Sequence, residues 1–234
     1  MNVNQGGFAM GKLELNKKKK KDALFNTAFE LFTTKGLTKT TISDIVEQAG
    51  VAKGTFYLYF KDKYDIRNKL VSHKTGELFF HAHEALEQAG ITDFEQQVHF
   101  IVDFVITELD QDRTLLLFIS KNLAWGVFKG AFEEKMPDDE YNFYRSYLDM
   151  LAQNGLHYRN PELLLFTIIE LVGATCYSCI LYQQPVPMTE YRPCLHQTIS
   201  AIMSSFMQDS NACPTLTEKS SSPPVPEVLP VRQA

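Results

Sequence analysis

Apolar residues recur at the spacing of α-helices along most of this chain. The pattern predicts a first helix over 18–34, two short helices over 42–49 and 52–60, and a long helix over 62–89. At 1.5 Å per residue, the long helix would span roughly 40 Å. Three short helices bury little apolar surface by themselves, so we expect the fourth helix to pack against them.

Helical patterns also fill the rest of the chain, apart from a loop predicted around Gly130 and Pro137. They cover residues 93–109, 113–128, 139–153, 161–183 and 189–207. No stretch shows the strict alternation of apolar and polar residues that is typical of a half-buried β-strand. The sequence therefore predicts an all-α fold in which a long helix joins a small head to an all-helical body.

The two ends of the chain differ in composition from the middle. Residues 1–16 show no periodicity, and we expect a flexible arm there. Residues 209–234 are rich in Ser, Pro, Thr and Glu, which is typical of a disordered tail. Between these ends, we place the head over residues 17–66 and the body over residues 67–208.

The charge of the chain is divided unevenly between these parts. Residues 1–66 carry 11 Lys and Arg against 7 Asp and Glu, and the remaining residues carry 12 against 21. The first part has a net charge of +4 and the rest −9, although the whole chain has −5. A basic head on an acidic body favours contact between the head and phosphate groups.

The two short helices of the head have the signals of a helix-turn-helix. Thr41 and Asp44 have the spacing of a capping box at the start of the first, and Gly50 separates it from the second. Phe56 and Phe60 share one face of the second helix, which leaves Lys53 on another. A tight turn between two short helices is the geometry that places the second helix in the major groove of DNA.

Residues 23–66 resemble the DNA-binding domain of the TetR (tetracycline repressor) family of transcription regulators. The resemblance covers about the first quarter of the chain, and Ala52 departs from it because many family members have a serine there. It rests on Ala28, Leu31-Phe32, Gly36, Thr40-Thr41-Ile42, Asp44-Ile45, Ala49-Gly50-Val51, Lys53-Gly54-Thr55-Phe56-Tyr57, Tyr59-Phe60 and Lys63.

The resemblance implies DNA contacts from the second short helix and from two helix starts. A lysine can neutralise a phosphate or bind guanine, and hydroxyls can reach phosphates or base edges. A glycine inside a helix costs about 1 kcal/mol, which is explained if the duplex approaches closely there. The predicted DNA contacts are Thr41, Lys53, Gly54, Thr55, Tyr57, Tyr59 and Lys63.

Five consecutive lysines precede this domain, at 17–21. They have two interpretations. They can form a solvated helix start, or a basic arm that lies along the DNA backbone or in the minor groove. The sequence leaves both open.

The resemblance also implies an effector pocket in the body and a dimer interface made by the last two long helices. The predicted pocket residues are mostly aromatic, which suggests an apolar effector: Phe100, Phe104, Phe118, Trp125, Tyr144, Tyr147, Phe166 and Glu170. The predicted interface residues are Val172, Cys176, Ile180, Leu195, Ile199, Ile202 and Phe206. The alternative to a dimer is a monomer in which one central helix is very buried.

The sequence offers no support for an enzyme, a metal site or a cofactor. It contains no phosphate-binding glycine loop, nucleophile elbow or His-Glu-x-x-His motif. Cys176 and Cys179 have a metal-like spacing but lie within an apolar helix, so we interpret them as packing residues. Leu163–Ile169 is too short an apolar run to cross a membrane. Four cysteines and no signal peptide indicate a cytoplasmic protein.

These observations lead to one main hypothesis and two alternatives. The main hypothesis is a homodimeric transcription regulator that acts as a repressor. It binds a palindromic double-stranded DNA operator and is released from it by a small apolar effector. The first alternative is a DNA-binding accessory or architectural factor without an effector, which a body core without a cavity would favour. The second is an all-helical enzyme with an incidental helix-turn-helix, which the missing catalytic cluster disfavours.

Overall fold

In a computed structural model of the protein, the chain is described over residues 11–122 and 143–207, where it folds into nine α-helices and no β-strand. The all-α fold is therefore confirmed. A single isolated β-bridge pairs Tyr158 with Met207. The helices are α1 (Lys12–Thr34), α2 (Ile42–Gln48), α3 (Lys53–Tyr59), α4 (Lys63–Ala89), α5 (Phe94–Gln111), α6 (Arg113–Asn122), α7 (Phe143–Gln153), α8 (Pro161–Leu181) and α9 (Met188–Phe206).

The predicted helix ends that fall on described residues agree with the structure to within two residues, except at the start of α1; the ends predicted at 128 and 139 lie outside the described residues. Helix α1 begins at Lys12, so the flexible arm predicted over 1–16 is wrong for residues 12–16. The described side chains of 14–20 are exposed. Such a helix needs no apolar stripe, and Lys, Glu and Leu favour it by propensity. Residues 1–10, the loop predicted at Gly130 and Pro137, and the tail lie outside the described residues.

The head has its own hydrophobic core. Phe25, Phe56 and Phe60 meet there, with ring centroids 5.3 Å apart for Phe25 and Phe60 and 5.4 Å apart for Phe56 and Phe60. Such aromatic contacts stabilise beyond simple area burial. The buried residues of this core are Leu24, Phe25, Ala28, Phe32, Ile45, Val46, Phe56, Phe60, Ile66, Leu70, Val71 and Phe118.

Helix α4 belongs to both cores of the molecule. Ile66, Leu70 and Val71, near its start, are buried in the head core, whereas Leu78 and Leu86, further along, are buried in the body core. Asp62 caps its start by accepting hydrogen bonds from the backbone N–H groups of Tyr64 and Asp65. Gly90 ends it with φ +64°, a left-handed conformation that glycine adopts readily.

Helix α6 makes a second connection between the cores. Its Phe118 lies edge-to-face on Phe29 of α1, with ring centroids 5.1 Å apart. Leu116 and Ile119 of the same helix are buried in the body core. The head is thus packed directly against the body by α4 and α6, and not merely tethered to it.

Helix α8 is the most apolar element of the body. Leu164, Ile168, Cys176 and Ile180 are buried in the core, and Cys176 has a free thiol, as does the equally buried Cys179. The run Leu163–Ile169, on which the sequence-based expectation rested, is too short to cross a membrane. By length and composition, the whole helix is long and apolar enough to do so. Only 39% of its most apolar window is buried within the chain. The helix therefore leaves apolar surface uncovered in a single copy.

A row of polar residues joins α5 to α9 and is called the α5–α9 seam below. The rings of His99 and His196 are stacked with centroids 4.4 Å apart. Nε2 of His196 lies 3.0 Å from Oδ1 of Asp103, and Arg192 lies 3.2 Å from the same oxygen. Burial, and secondly the neighbouring His196, lower the pKa of His99 below its ordinary value of 6.5. The seam comprises Glu95, His99, Asp103, Arg192, His196 and Ser200.

We predict that His99 makes the stability of the protein depend on pH. Because its pKa is lower in the folded state, the unfolded chain binds the proton more readily, and stability falls as the pH drops below about 6.5. His99→Gln should flatten the dependence of the melting temperature on pH between about 7 and 5. His157→Gln, at an exposed histidine, is the matched control. Equal slopes for the wild type and His99→Gln would contradict the prediction.

Candidate nucleic-acid interface and body cavity

The start of α2 is fixed by a reciprocal cap, as the sequence predicts. Oγ1 of Thr41 accepts from the backbone N–H of Asp44 at 3.1 Å, and the N–H of Thr41 donates to Asp44 Oδ2 at 2.8 Å. Lys35 lies 2.7 Å from the same carboxylate. The hydrogen bond from Lys35, followed by those from Thr41, lowers the pKa of Asp44 to about 2. The carboxylate therefore remains charged across the physiological range.

The turn between α2 and α3 is a Schellman motif. The N–H of Val51 donates to the carbonyl of Val46 at 3.0 Å, and the N–H of Gly50 donates to that of Glu47 at 3.2 Å. Gly50 has φ +66°, a conformation that residues with a Cβ rarely adopt. The separation of α2 from α3 thus depends on this glycine, as the sequence predicts.

Two buried rings fix which face of α3 points outward. Phe56 and Phe60 are 0% and 2% exposed in the head core. Lys53, Gly54 and Tyr57 lie on the other side and are exposed, with Tyr57 at 54%. The structure thus brings these three predicted DNA-contact residues together on one outward surface.

Two features of this surface were not part of the sequence reasoning. Leu58 is 79% exposed, one helical turn from Gly54. An apolar side chain there can contact a thymine methyl group, and an apolar residue at an outward position of a short helix was the available signal. Apart from its chain neighbours and the backbone of its own helix, a Cβ added to Gly54 would meet no atom within 4 Å, so packing inside the molecule does not require glycine at this position.

The other predicted contact residues are held by the protein itself. Thr41 is exposed, but its oxygen serves the α2 cap, and Thr55 is half-buried. Tyr59 is half-buried, and its hydroxyl donates to the carbonyl of Lys17 at 3.3 Å. Lys63 donates to the carbonyls of Leu37, Thr38 and Thr40 at 3.0–3.2 Å. All three donors of its ammonium group are thereby used, and a direct phosphate contact would require their exchange.

The lysine run lies on α1 and therefore forms a helix, not a loose arm. Lys17, Lys18, Lys19 and Lys20 are exposed, and Lys21 lies 5.6 Å from the ring of Phe25. The contact of Tyr59 with Lys17 places this part of α1 beside the end of α3. The run thus extends the basic surface of the head.

The body contains an apolar cavity of about 130 Å³. Side chains from α4 to α8 line it, and nearly all of those described are apolar; the polar side chains among them are Thr75, Tyr147 and Cys176. The lining residues are Thr75, Leu78, Phe79, Phe94, Val98, Ile101, Val102, Val105, Leu109, Leu116, Ile119, Phe143, Tyr147, Met150, Leu164, Leu165, Ile168, Ile169, Val172, Gly173 and Cys176.

Most of the predicted pocket residues do not line this cavity. Tyr147 lines it, but Phe118 lies in the head core and Glu170 is exposed. Phe100, Phe104, Tyr144 and Phe166 are half-buried outside the lining, and Trp125 lies outside the described residues. The sequence shows that these residues are aromatic, but it does not show which side of each helix faces the cavity.

The predicted dimer residues are likewise mostly internal. Cys176, Ile180, Leu195 and Ile199 are 0–3% exposed within one copy of the chain, so they cannot meet a second copy. Val172, Ile202 and Phe206 are half-buried against the core. The exposed residues of α8 and α9 are instead the neighbours of these positions, because the most apolar stripe of each helix faces the core of its own chain.

No cluster of metal-binding side chains is present in the described part of the chain.

Comparisons with known proteins agree with this architecture. Residues 24–70 match the family model for bacterial regulatory proteins of the tetR family. An uncharacterised HTH-type transcriptional regulator of Bacillus subtilis, YvdT, is 36% identical over 103 residues, which cover 42% of this chain and 51% of that protein. The fatty acid metabolism regulator protein of Bacillus subtilis is 37% identical over 65 residues, 28% of this chain and 34% of that one. The chain thus spans about half or less of these relatives.

Solved structures resemble the chain over more of its length. The transcriptional regulator FadR from Bacillus subtilis, solved in complex with stearoyl-CoA, superposes with a TM-score of 0.56 at 18% identity. The match covers 76% of this chain and 96% of that one. It extends the shared all-helical fold from the head to the body.

We predict that Ala52→Ser stabilises the head. Ala52 is the N-cap residue of α3, with extended backbone angles and no side-chain hydrogen bond to the helix. A serine oxygen there can accept from a backbone N–H of the first turn, which is worth about 1 kcal/mol. Thermal or urea unfolding should show the gain. Ala52→Val, which adds bulk without an acceptor, is the control, and an equal gain in both variants would refute the capping explanation.

Proposed function

We propose that this chain, whose residues 24–70 match the family model for bacterial regulatory proteins of the tetR family, is a ligand-responsive transcription regulator of that family and acts as a repressor. It binds a palindromic DNA operator as a dimer in the cytoplasm, and a small apolar effector releases it. The observation that carries the proposal is the outward surface of α3, formed by Lys53, Gly54 and Tyr57 opposite two buried phenylalanines.

This surface suits the major groove. Lys53 can neutralise a phosphate or donate to guanine, and the Tyr57 hydroxyl can donate to a phosphate. At Gly54 no atom of the protein fills the space that a Cβ would occupy, so a duplex can approach the backbone closely there. The exposed lysines at 17–20 add positive charge beside α3 and favour contact with flanking phosphates.

The dimer is proposed from the uncovered surface of α8. Leu163 is 46% exposed, and Glu170 and Ala174 are exposed at helical spacing from it. On α9, the exposed Gln197 and Ala201 are small or uncharged. A second copy that packs these helices against its own would cover the apolar surface and place two α3 helices on one duplex, about 34–36 Å apart for adjacent turns.

The effector is proposed to bind in the apolar cavity. The alternative of an accessory factor without an effector would be favoured by a filled body core. The body core instead contains a cavity of about 130 Å³, which favours a regulator with an effector. The fold match to FadR, which was solved with stearoyl-CoA, also supports an effector with an apolar part, since the acyl chain of that ligand is apolar. Because α4 and α6 contribute to the cavity and to the head core, a ligand that prefers one arrangement of these helices would shift the head spacing.

We predict that Lys53→Ala and Tyr57→Ala each weaken operator binding by about tenfold or more, because each removes a contact to a charged or polar DNA group. Fluorescence anisotropy with short genomic fragments around the gene itself, at several salt concentrations, measures this. If Lys53 contacts a phosphate, its removal should also reduce the slope of log K against log salt by about 0.9.

Arg113→Ala removes one exposed positive charge from the body and is the matched control, since it should leave binding unchanged. Tyr57→Phe separates loss of the hydroxyl from loss of the ring. Binding that is absent in the wild type, or indifferent to DNA sequence and to both alanine variants, would refute the proposal.

We predict that Ala174→Glu dissociates the dimer, because it adds two carboxylates, one helical turn from those of Glu170, to the contact of α8 with its symmetry mate. Light scattering after gel filtration should give twice the chain mass for the wild type and a shift towards the monomer for the variant. Ala152→Glu, the same change at an exposed position of α7, should remain dimeric. A monomeric wild type, or a variant as dimeric as the control, would overturn the proposed interface.

A further inference from the structure

We infer that Thr75 is the polar contact of the cavity and that its ligand is uncharged, apolar and carries one hydrogen-bonding group. The inference deepens the proposed function, since it names the ligand class of the cavity proposed there as the effector site. It rests on the only side-chain oxygen in the described cavity lining that has no hydrogen-bond partner, Oγ1 of Thr75.

Thr75 is buried in an apolar place. It lies in the middle of α4, lines the cavity and is 3% exposed. A buried hydroxyl without a partner costs free energy relative to water, where it would be hydrogen-bonded. A ligand that offers a partner recovers that cost, whereas a purely apolar ligand does not.

The local helix does not satisfy this hydroxyl, although it satisfies those of other threonines. Thr33, Thr107, Thr167, Thr175 and Thr198 each donate to the carbonyl four residues earlier, at 2.6–2.8 Å. That bond is the usual way for a helical threonine to avoid an unpaired hydroxyl. Its absence at Thr75 leaves the hydroxyl able to donate to, and accept from, a molecule in the cavity.

The remaining polar groups of the lining are already used or neutral. The Tyr147 hydroxyl donates to the carbonyl of Pro161 at 3.0 Å. Burial raises the pKa of the Cys176 thiol to about 12, so it stays uncharged and is a weak donor. No charged side chain is among the lining residues that belong to the described part of the chain. A charged ligand group would therefore be buried without a counter-charge, at high cost.

The size of the cavity narrows the ligand further. Its volume of about 130 Å³ is close to that of an engineered apolar cavity of about 150 Å³ that binds benzene. A single ring or a short branched chain with one hydroxyl or carbonyl group fits both the volume and the single polar contact.

The test compares two probes of nearly equal shape, phenol and toluene, on the purified full chain without DNA. Calorimetry gives both affinities for the wild type and for Thr75→Val, which replaces the hydroxyl by a methyl group of the same shape. The ratio of phenol to toluene affinity should fall roughly tenfold in Thr75→Val, as expected for one lost buried hydrogen bond. Thr75→Ser should keep the wild-type ratio.

Folding is checked in the same samples. Because Thr75→Val removes an unpaired hydroxyl from an apolar site, its melting temperature should equal or exceed that of the wild type. An unchanged phenol-to-toluene ratio in a folded Thr75→Val, no saturable binding of either probe to the wild type, or benzoate binding as tightly as phenol would each overturn the inference. Since the assay contains no DNA, failure to find an operator would refute the proposed function without altering this result.

Discussion

The packing of α4 into two hydrophobic cores is the constraint on which the rest of this structure depends. Its first turns complete a head that is too small to be stable alone, and its later turns form a wall of the body. Helix α6 adds a second connection through Phe118, which packs on Phe29 of α1. A shift of α4 or α6 in the body core would therefore also act on the head core, because parts of the same two helices are buried in both.

The outward surface of α3 depends in turn on what lies beneath it. Burial of Phe56 and Phe60 fixes the rotation of the helix, the capping box fixes the start of α2, and the Schellman turn at Gly50 fixes the angle between the two helices. Lys63 stabilises the segment before α2 by donating hydrogen bonds to the backbone carbonyls of Leu37, Thr38 and Thr40. The α3 residues proposed to contact DNA are thus few, and the packing and hydrogen bonds of the head hold the helix that carries them.

The sequence predicted local structure far better than it predicted the residues that line the cavity. Capping, glycine turns and helical periodicity are properties of neighbouring residues, so the ends of α2, α3 and α4 could be read directly. The described lining of the cavity depends on the rotation of five helices against one another, which no local pattern encodes. Phe118 was expected in the cavity and packs in the head, whereas Thr75 drew no attention because a missing hydrogen bond is visible only in three dimensions.

The same distinction explains the dimer residues. The strongest apolar stripes of α8 and α9 were assigned to a partner, but each protein chain first satisfies its own core, and Leu195 and Ile199 are fully buried there. A second copy can contact only the surface of α8 and α9 that the core of the chain leaves exposed, and this surface lacks a continuous apolar stripe. The start of α1 was missed for a related reason: an exposed helix of charged residues has no apolar periodicity to detect.

The position of Thr75 along α4 sets how far a chemical signal would have to travel. Val71, four residues earlier and fully buried in the head core, lies one turn away, or about 6 Å along the axis. Ligand binding at Thr75 and the response of the head core would therefore involve the same helix, without a chain of other side chains between them. A displacement of α4 at Thr75 would therefore reach the buried side chain of Val71 in the head core within one helical turn.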